Sequence, residues 1–435
     1  MKVHFIGIGG IGVSALAKYY LAKNNQVSGS DLVSSEITES LKKEGANIFI
    51  GKHAENNISE DLDLVIFSPA VSDKNPELKK AKEQRIDCKS YPQALGELTK
   101  EFFTIAIAGT HGKSTTTSML GILLTNAGLD PTVIVGTKVK EFQNSNCRVG
   151  SSKYLVIEAC EWNASFLNYH PDIIILNNIE KEHLDFFKDL DHIIKTYKQF
   201  ISNLPENGTL IYNLDDKNIS DLVKNLSFNK ISFSANQEEF SLLEKNLRIS
   251  GRHNVYNALA ALTAARILKV DDKDSLFTLS SYLGSWRRFD LSEVKLADKK
   301  ITLINDYAHH PTELKAALSA TREKFPDRKI WAVFQPHQYQ RTFYLFDDFV
   351  KVLSEAKIDE LIIADIYDVA GREEEDIRKS VSSEKLASEI KKAVYIPDIE
   401  EIFLFLKENM KDKDVLIIMG AGNIYKLADF FPLDI

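Results

Sequence analysis

The chain has 435 residues, more than one ordinary hydrophobic core accommodates, so two to four domains are expected. A hydrophobic content of 44% and a charged content of 27% are typical of a soluble globular protein, and a net charge of −8 without a basic block argues against general nucleic-acid binding. The three cysteines, Cys88, Cys147 and Cys160, have no Cys-x-x-Cys spacing, so they predict neither a disulfide framework nor a zinc site and fit a reduced cytoplasm.

The first segment of the chain, which runs to about Lys100, has the pattern of an α/β domain. A predicted strand over Val3–Ile8 leads into a glycine-rich turn and a helix that extends to about Lys23, and a second strand, Gln26–Gly29, ends at Asp31. The glycines and the acidic residue about 20 positions later match the dinucleotide-binding fingerprint, in which a helix N-terminus binds pyrophosphate. Alone, this pattern indicates a phosphorylated ligand more reliably than it indicates NAD. The residues that could face this ligand are Gly7, Gly9, Gly10, Gly12, Asp31 and, after a predicted strand at Leu64–Phe67, Ser68.

A phosphate-binding loop is predicted at the start of the second segment. A β-branched strand ends in Gly109-Thr110-His111-Gly112-Lys113-Ser114, and a helical pattern follows from Thr115 to Asn126. Glycines let consecutive N–H groups point at phosphate oxygens, Lys113 would reach the β- and γ-phosphates, and the Ser114 hydroxyl would hold Mg²⁺. The full P-loop pattern has a glycine where this chain has Ile107, and a tight turn before a helix is the simpler alternative. That alternative does not require Lys-Ser, so nucleotide binding is favoured.

Two residues that could bind a divalent cation follow predicted strands of this second segment. Glu158 ends one strand and His183 lies just past another, where open α/β sheets bind their ligands. Singly, Glu158 could cap a helix and His183 could be a surface histidine, but the phosphate loop in the same segment favours a metal site.

The rest of the second segment is also predicted to contain strands and helices. A helix at Val255–Leu268 follows Gly251–Asn254. The near-continuous apolar runs that predict buried parallel strands are 154–159, 173–177 and 210–213.

The third segment starts near Trp286 and is again predicted to alternate strands and helices. Its predicted strands are Ile301–Asn305, Ile330–Phe334, Glu360–Ala364 and Val415–Met419, with a glycine turn at Gly420–Asn423 before a final helix. The acidic run Glu373–Asp376 is expected to be a solvated loop or a helix start. No stretch of the chain approaches the roughly 18–20 apolar residues of a membrane span, so no membrane insertion is expected.

Two polar loops of this segment follow apolar strands. In Asp306–Glu313, two adjacent histidines could suggest zinc, but neighbouring side chains point in different directions, so a substrate loop with Pro311 starting a helix is favoured. In the loop that begins at Gln335, Arg341 could bind a carboxylate or a phosphate through two hydrogen bonds, and the alternative is an ordinary surface arginine.

With these motifs in this order, the chain resembles the Mur ligase family over essentially its whole length, and within it the branch that joins L-alanine to UDP-N-acetylmuramate. The ordered set is far more specific than any one motif. It comprises Gly7–Gly12, Gly29–Asp31, Ser35–Thr38, Gly109–Thr116, Glu158–Glu161, Ser165–Leu167, Asn178–Asp185, Gly251–Asn254, Asn257-Ala258, Trp286–Phe289, Asp306–Glu313, Gln335–His337, Arg341-Thr342 and Gly420–Asn423.

The resemblance implies an α/β protein of three domains. Residues 1–100 would form a Rossmann-like domain that binds the UDP substrate, so that the first glycine loop would hold pyrophosphate of UDP rather than NAD. Residues 101–284 would form a central P-loop-type ATPase domain with a mostly parallel sheet, and residues 285–435 a Rossmann-like domain that receives the amino acid.

The resemblance also implies roles for individual residues. Lys113, Glu158 and His183 would be catalytic, with Ser114 and Glu158 binding one Mg²⁺ and His183 a second. ATP would be bound by Gly109, Thr110, His111, Gly112, Lys113, Ser114, Thr115, Asn254, Asn257 and Asp306. The other substrates would be bound by Gly7, Gly9, Gly10, Gly12, Asp31, Ser68, Tyr307, His309, His337 and Arg341.

The implied reaction uses ATP and Mg²⁺ to join L-alanine to the lactyl carboxylate of UDP-N-acetylmuramate through an acyl phosphate, in peptidoglycan precursor synthesis. The implied enzyme is cytoplasmic, a monomer or a weak homodimer, and does not bind nucleic acid. Three residues depart from the family pattern: Cys160 where many relatives have Asp, Trp162, and Gln338 where a basic residue is frequent. Lys198 lies near the position of a lysine that is carbamylated in other branches, but the loop before it cannot be aligned securely, so it is left out of the site.

Four alternatives stay open from the sequence. A recycling ligase that attaches an intact peptide is the nearest, and a folate polyglutamylating ligase is disfavoured because it would lack the glycine-rich first domain. An NAD-dependent oxidoreductase and a non-catalytic nucleotide-binding sensor are alternatives of other classes. The first glycine loop alone permits the oxidoreductase, but hydride transfer has no use for Lys113-Ser114 with Glu158 and His183.

Overall fold

Three β-sheets follow one another along the chain in the computed structural model, which describes residues 1–368 and 375–433. The first sheet is entirely parallel, with the strand order β3-β2-β1-β4-β5. Its strands are β1 (Lys2–Ile6), β2 (Gln26–Asp31), β3 (Asn47–Ile50), β4 (Leu64–Phe67) and β5 (Asp87–Ser90). Its helices are α1 (Ile11–Ala22), α2 (Glu36–Lys43), α3 (Pro76–Glu83) and α4 (Tyr91–Thr99).

The second sheet has seven strands in the order β12-β11-β10-β6-β9-β7-β8, and only the β7–β8 pair is antiparallel among its described pairings. Its strands are β6 (Phe103–Ala108), β7 (Thr132–Val139), β8 (Ser145–Arg148), β9 (Tyr154–Glu158), β10 (Ile173–Leu176), β11 (Thr209–Asn213) and β12 (Asn229–Phe233). The helices of this part are α5 (Lys113–Asn126), α6 (Leu190–Ile201), α7 (Lys217–Val223), α8 (Glu238–Asn246), α9 (Arg252–Ile267) and α10 (Asp272–Ser281).

The third sheet has the order β13-β14-β18-β15-β16-β17, in which β13 and β14 form an antiparallel pair and the other described pairs are parallel. Its strands are β13 (Asp290–Leu296), β14 (Lys299–Asp306), β15 (Ile330–Phe334), β16 (Glu360–Ile363), β17 (Ala393–Tyr395) and β18 (Val415–Met419). Its helices are α11 (Pro311–Lys324), α12 (Tyr339–Tyr344), α13 (Phe346–Glu355), α14 (Glu375–Ser380), α15 (Ser383–Ser388) and α16 (Ile399–Asn409).

The predicted α/β fold with three mostly parallel sheets is confirmed, and most differences are of one to three residues at element ends. The strand predicted over Val3–Ile8 ends at Ile6, because Gly7 leaves the extended conformation with a φ of +77°. The helix predicted from Val255 begins three residues earlier, at Arg252. Two antiparallel pairs, β7–β8 and β13–β14, were not predicted. Of the acidic run, residues 373 and 374 lie outside the described residues.

Buried apolar strands form the centre of each sheet. Every residue of β10, β15 and β18 is buried, as expected for parallel strands that are covered on both faces. Helix starts carry the local signals that the sequence predicts. Pro311 begins α11 at a position where its missing N–H costs no hydrogen bond, and the His310 side chain caps the same helix.

The chain divides into two compact units by its internal contacts. The first unit comprises residues 1–180, 191–246 and 256–282, and the second comprises 181–190, 247–255 and the chain from Leu283 onwards. The first unit therefore contains the first two sheets, and the second contains the third sheet with two short segments from earlier in the sequence. In the part of the chain that the structure describes, helices that combine the length and the apolar character of a membrane span do not occur.

A buried carboxylate connects the first sheet to its glycine-rich turn. Glu77 at the start of α3 accepts hydrogen bonds from Ser30 Oγ (2.5 Å) and Asn57 Nδ2 (2.6 Å), and His4 and His53 each place a ring nitrogen 3.4 Å from it. The backbone carbonyl of Ser30 in turn accepts hydrogen bonds from the N–H groups of residues 7 and 8. Glu77 therefore fixes the strand end that holds the turn.

We expect Glu77 to make the free energy of unfolding depend on pH in the acidic range. Burial opposes its charge, but the contacts with His4, Ser30 and Asn57 lower the pKa of Glu77 from 4.5 to about 2. A carboxyl whose pKa is lowered by folding stabilises the protein above its unfolded pKa and loses that contribution as the pH falls from 4.5 towards 2. The difference in urea-unfolding free energy between the wild type and Glu77→Gln should shrink by about 2 kcal/mol between pH 7 and pH 3. A difference that does not depend on pH would contradict this role.

Candidate functional site

The loop Gly109–Ser114 lies between β6 and α5, as predicted, and its backbone is fixed from two sides. Gly112 has a φ of +81°, and a Cβ at this position would lie 2.2 Å from Asn257 Oδ1, so no larger residue fits without a shift. On the other side, His111 N donates to Asn178 Oδ1 (2.7 Å) and Thr110 N donates to the Asn178 carbonyl (3.0 Å). The loop is therefore held in shape by Asn178, which follows β10, and by Asn257 of α9 rather than by its own sequence alone.

Lys113, the first residue of α5, directs its ammonium back over the loop. Its Nζ donates to the carbonyl oxygens of Gly109 (2.5 Å) and Thr110 (3.0 Å) and lies 3.0 Å from Glu161 Oε2. Burial alone would lower the pKa of Lys113, but the adjacent Glu161 raises it above its usual value, so the side chain is a cation at neutral pH. Sequence reasoning did not assign a role to Glu161.

Two candidate metal ligands belong to the same unit as this loop. Ser114 and Thr115 are buried in the first turn of α5, and Glu158 is the last residue of β9, where its Oε1 accepts a hydrogen bond from the backbone of Gly136. A hydroxyl and a carboxylate are hard oxygen donors, and this donor chemistry fits Mg²⁺.

Lys198, which the sequence analysis did not include in the site, is exposed on α6.

The two asparagines that the resemblance relates to ATP have different surroundings. Asn257 belongs to the first unit. Its Oδ1 accepts a hydrogen bond from Thr116 Oγ1 at 3.3 Å and lies directly beside Gly112. Asn254 belongs to the second unit, and its side chain donates to the Ser250 carbonyl at 2.7 Å.

The first glycine-rich turn lies between β1 and α1, as the strand–turn–helix pattern predicts. Gly9 N donates to Asp31 Oδ2 at 2.8 Å, and a Cβ at Gly9 would lie 2.8 Å from the same oxygen, so the backbone must approach this carboxylate closely. Gly10 and Gly12 lie at the start of α1. Ser68 follows β4 and packs closely against Gly7, since a Cβ added to Gly7 would lie 3.0 Å from the Ser68 Cβ. Asp31 thus orders the turn itself, in addition to any contact with a ligand.

The second unit brings together the predicted residues that follow β14 and β15. Asp306 ends β14 and accepts hydrogen bonds from Phe289 N and Ala308 N, both at 2.7 Å. Burial raises the pKa of Asp306 to about 6 despite these bonds. Two arginines lie against the Tyr307 ring, since the guanidinium carbons of Arg287 and Arg288 are each 5.0 Å from its centroid.

The adjacent histidines 309 and 310 have separate environments, as the sequence predicts. His309 Nδ1 lies 2.9 Å from the Tyr307 carbonyl, which can only accept, so this nitrogen carries the proton. Burial lowers the pKa of His309 to about 4, so its imidazole is neutral at pH 7 and its Nε2 is a hydrogen-bond acceptor. His310 uses both nitrogens locally, with Nε2 on the Lys181 carbonyl (3.0 Å) and Nδ1 accepting from Thr312 N (3.3 Å).

Arg341 does bind a carboxylate through two hydrogen bonds, but the carboxylate belongs to this chain. Its Nε and Nη2 donate to Glu182 Oε1 at 2.9 and 2.8 Å, and its Nη1 donates to His337 Nδ1 (3.1 Å) and to the His337 carbonyl (3.0 Å). Burial opposes the charge of Glu182, but Arg341 holds the pKa of Glu182 well below its usual range. The interpretation of Arg341 as an ordinary surface arginine is wrong, because the side chain is 94% buried.

His183 belongs to the second unit although it follows a strand of the second sheet. It lies in the segment Lys181–Leu190, has a φ of +55°, and donates its backbone N–H to Glu182 Oε1 at 3.1 Å. The candidate metal ligands are thus divided, with Ser114 and Glu158 in the first unit and His183 in the second. A small pocket around His183 is lined by Glu182, Leu184, Asp185, Gln338, Arg341 and Leu345.

Comparison with known proteins relates all three sheets to one family. Models of the Mur ligase family match residues 2–103 (catalytic domain), 107–248 (middle domain) and 287–422 (glutamate ligase domain). A UDP-N-acetylmuramate–L-alanine ligase of Acetivibrio thermocellus is 40% identical over 99% of this chain and 96% of that protein. One of Clostridium botulinum is also 40% identical, over 99% of this chain and 97% of that protein.

The chain belongs to the Mur ligase family. Among solved structures, a UDP-N-acetylmuramate–alanine ligase of Thermotoga maritima has a TM-score of 0.80 at 27% identity and covers 99% of this chain and 98% of that one. A murein peptide ligase of Psychrobacter arcticus, at 23% identity, shares the fold with a TM-score of 0.73, covering 99% of this chain and 98% of that one. The resemblance inferred from the ordered motifs is thereby confirmed.

In this Mur ligase, the residues that sequence reasoning missed are the buried carboxylates beside the predicted cations. Glu161 and Glu182 stand within three residues of Glu158 and His183, and both were visible in the motifs. Their spacing along the chain gives no sign that they face Lys113 and Arg341, which lie 48 and 159 positions away. They could have been found only if the sequence had indicated that these two carboxylates are buried.

Proposed function

We propose that this protein is an ATP-dependent ligase that joins L-alanine to the lactyl carboxylate of UDP-N-acetylmuramate in peptidoglycan precursor synthesis. Two relatives that carry this name are 40% identical over 99% of the chain, and this similarity is the principal support. The loop at Gly109–Ser114, with the cation Lys113 held over it, is the arrangement that a polyphosphate requires.

The proposed reaction has two steps. A lactyl carboxylate oxygen attacks the γ-phosphorus of ATP, so that the bond to the β-phosphate oxygen breaks and ADP leaves. The amine of L-alanine then attacks the acyl carbon of the acyl phosphate, inorganic phosphate leaves, and the amine loses a proton. Because phosphoryl transfer needs little covalent help from the protein, positioning and charge neutralisation account for most of the acceleration.

The side chains have distinct parts in this proposal. Lys113 neutralises the transferring phosphoryl group, and Ser114 and Glu158 would hold Mg²⁺, which supplies further positive charge beside the phosphates. His183 is proposed for a second Mg²⁺. In the second unit, the neutral His309 offers Nε2 as an acceptor to the amine of alanine, and Asp306, Tyr307, His337 and Arg341 form the surrounding surface.

The direct test uses the purified protein with ATP, Mg²⁺, UDP-N-acetylmuramate and L-alanine. Phosphate release should require both UDP-N-acetylmuramate and alanine, and the product should contain one alanine per muramate by mass spectrometry. Phosphate release that is independent of either substrate would refute the assignment. NADH binding in the absence of ATP binding would favour the oxidoreductase alternative instead.

A ligase for an intact peptide is the second candidate, because a murein peptide ligase shares the fold. That likeness shows the fold alone, whereas relatives at 40% identity are named for alanine. Offering alanine and a tripeptide in separate assays distinguishes the two reactions. We expect turnover with alanine only.

We expect alanine to be preferred, with measurable activity on glycine and serine. The three amino acids differ by one methyl or hydroxyl group, and a pocket discriminates one methylene by only about 1–3 kcal/mol. Gln338, which departs from the family pattern that the resemblance implies, is buried and lines the same pocket as Arg341. Ranking kcat/KM for alanine, glycine and serine tests the preference, and a clear lead for glycine or serine would overturn the substrate while leaving the ligase reaction intact.

The domain boundaries, the cellular compartment and the oligomeric state stay predictions. Domain boundaries near residues 100 and 284 follow the family resemblance. The cytoplasm is the expected compartment because the reaction consumes ATP. The oligomeric state is expected to be a monomer or a weak homodimer, which sedimentation would test.

A further inference from the structure

The carboxylate of Glu161 is buried directly beside the phosphate loop. Glu161 precedes the short helical turn Trp162–Asn168, three residues after the end of β9, and its side chain is 2% exposed. Both of its oxygens face Lys113, at 3.0 and 3.3 Å from Nζ. A carboxylate is rarely buried this completely unless it is paired, so the pairing with Lys113 accounts for its stability in this place.

The ammonium of Lys113 is completely satisfied by protein groups. An ammonium has three N–H donors, and the Gly109 carbonyl, the Thr110 carbonyl and the Glu161 carboxylate provide three acceptors. A phosphate oxygen can bind this ammonium only if one of these acceptors gives up its bond. The carboxylate also lies close enough to the loop to repel a polyphosphate.

The other ionisable groups near this pair do not replace Glu161. Burial raises the pKa of the Cys160 thiol to about 11, so the thiol is neutral at pH 7. Glu158 accepts a hydrogen bond from the backbone of Gly136. Glu180 pairs with a different loop residue, since its Oε2 lies 3.6 Å from His111 Nε2.

We propose that Glu161 is a positioning residue that competes with the nucleotide polyphosphate for Lys113 and fixes the ammonium against the loop. This inference rests on the proposed function only in that a nucleotide polyphosphate binds at the loop. The competition weakens binding of the nucleotide in its ground state, while the fixed ammonium favours the geometry of phosphoryl transfer. Such a residue raises kcat at the expense of ground-state affinity.

The test replaces Glu161 with Gln, which keeps the shape and one acceptor oxygen but removes the charge. ADP affinity is measured by calorimetry in EDTA, so that no divalent cation contributes. We expect Glu161→Gln to bind ADP about tenfold more tightly than the wild type, because one nearby negative charge is removed in a partly desolvated site. In the ligase assay with Mg²⁺, the same variant should show a lower KM for ATP and a kcat reduced by at least about tenfold.

Two controls separate competition for Lys113 from general electrostatics. Glu180→Gln removes an equal charge beside the loop without touching Lys113, and its gain in ADP affinity should be clearly smaller. The gain from Glu161→Gln should be much smaller in a Lys113→Met background, since no ammonium is then left to release and only the direct repulsion between the carboxylate and the polyphosphate is removed. A gain of the same size in that background would overturn the proposal.

A purely structural role for Glu161 predicts the opposite sign. Glu161→Gln would then bind ADP less tightly or equally, and either result, in a protein with an unchanged unfolding midpoint, overturns the proposal. If Glu161→Gln does not fold, Glu161→Asp, which draws the carboxylate away from Lys113, should show the same two effects at smaller size. Alanine-dependent phosphate release by the wild type is measured separately, so a failure of the proposed ligase activity is distinguished from a failure of this inference.

Discussion

Replacing Lys113 with Ala is expected to lower kcat by several orders of magnitude. The ammonium is the cation that the chain itself holds over the phosphate loop, and its charge becomes more useful as the γ-phosphoryl group departs. Ligase turnover at saturating ATP, UDP-N-acetylmuramate and alanine measures this loss. Near-normal turnover would remove Lys113 from the mechanism.

Lys113 is also expected to stabilise the fold, which the sequence did not predict. Without Lys113, the buried carboxylate of Glu161 loses its ion-pair partner, and breaking a buried ion pair in this way costs about 3–5 kcal/mol. Lys113→Ala is therefore expected to unfold at a lower urea concentration as well as to lose activity. The paired variant Lys113→Met with Glu161→Gln removes both charges and should recover most of the stability but none of the turnover. Recovery of turnover in the paired variant would show that the loss in Lys113→Ala came from unfolding.

Apolar patterning predicted the fold because buried parallel strands leave a strong local signal. Ile330–Phe334 and Val415–Met419 were predicted with their observed bounds, since each is an apolar run between polar loops and is fully buried. The pairs β7–β8 and β13–β14 escaped because β8 and β13 lie at the ends of their sheets and do not form long apolar runs. An interior strand can be predicted from the hydrophobicity of its own residues, whereas an outer strand forms because it pairs with a neighbouring strand that its own sequence does not reveal.

Motifs predicted which loops matter but not how their charges are balanced. Lys113 and Arg341 were recognised from short sequence patterns, and in the structure each forms an ion pair with a buried carboxylate of this chain. Their partners, Glu161 and Glu182, come from distant parts of the chain, and no local pattern records such a pairing. The assignment of His183 to the second unit escaped for the same reason, because it depends on contacts of Glu182 and Lys181 with residues more than 100 positions away.

Arg341 is expected to be the most sensitive position of the second unit. Arg341→Ala would leave Glu182 buried without its main partner, at a cost of about 3–5 kcal/mol, and would free the side chain of His337 from its hydrogen bond. Arg341→Lys keeps the charge but cannot place two N–H donors on one carboxylate oxygen, so it should recover only part of the stability. Urea unfolding and kcat/KM for alanine measure the two effects side by side.

A paired variant separates the structural part of Arg341 from a direct part in catalysis. Arg341→Met with Glu182→Gln removes both buried charges, and a buried ion pair that is replaced as a whole is often neutral for stability. If Arg341 also contacts a substrate, this variant should fold normally and still lose at least about tenfold in kcat/KM. If the guanidinium serves only to hold Glu182, and through it the segment that carries His183, then the paired variant should regain much of its turnover. We expect the first result, because Nη1 of Arg341 extends beyond Glu182 to His337, whose ring lies 5.9 Å from that of His309 on the surface proposed to receive the amino acid.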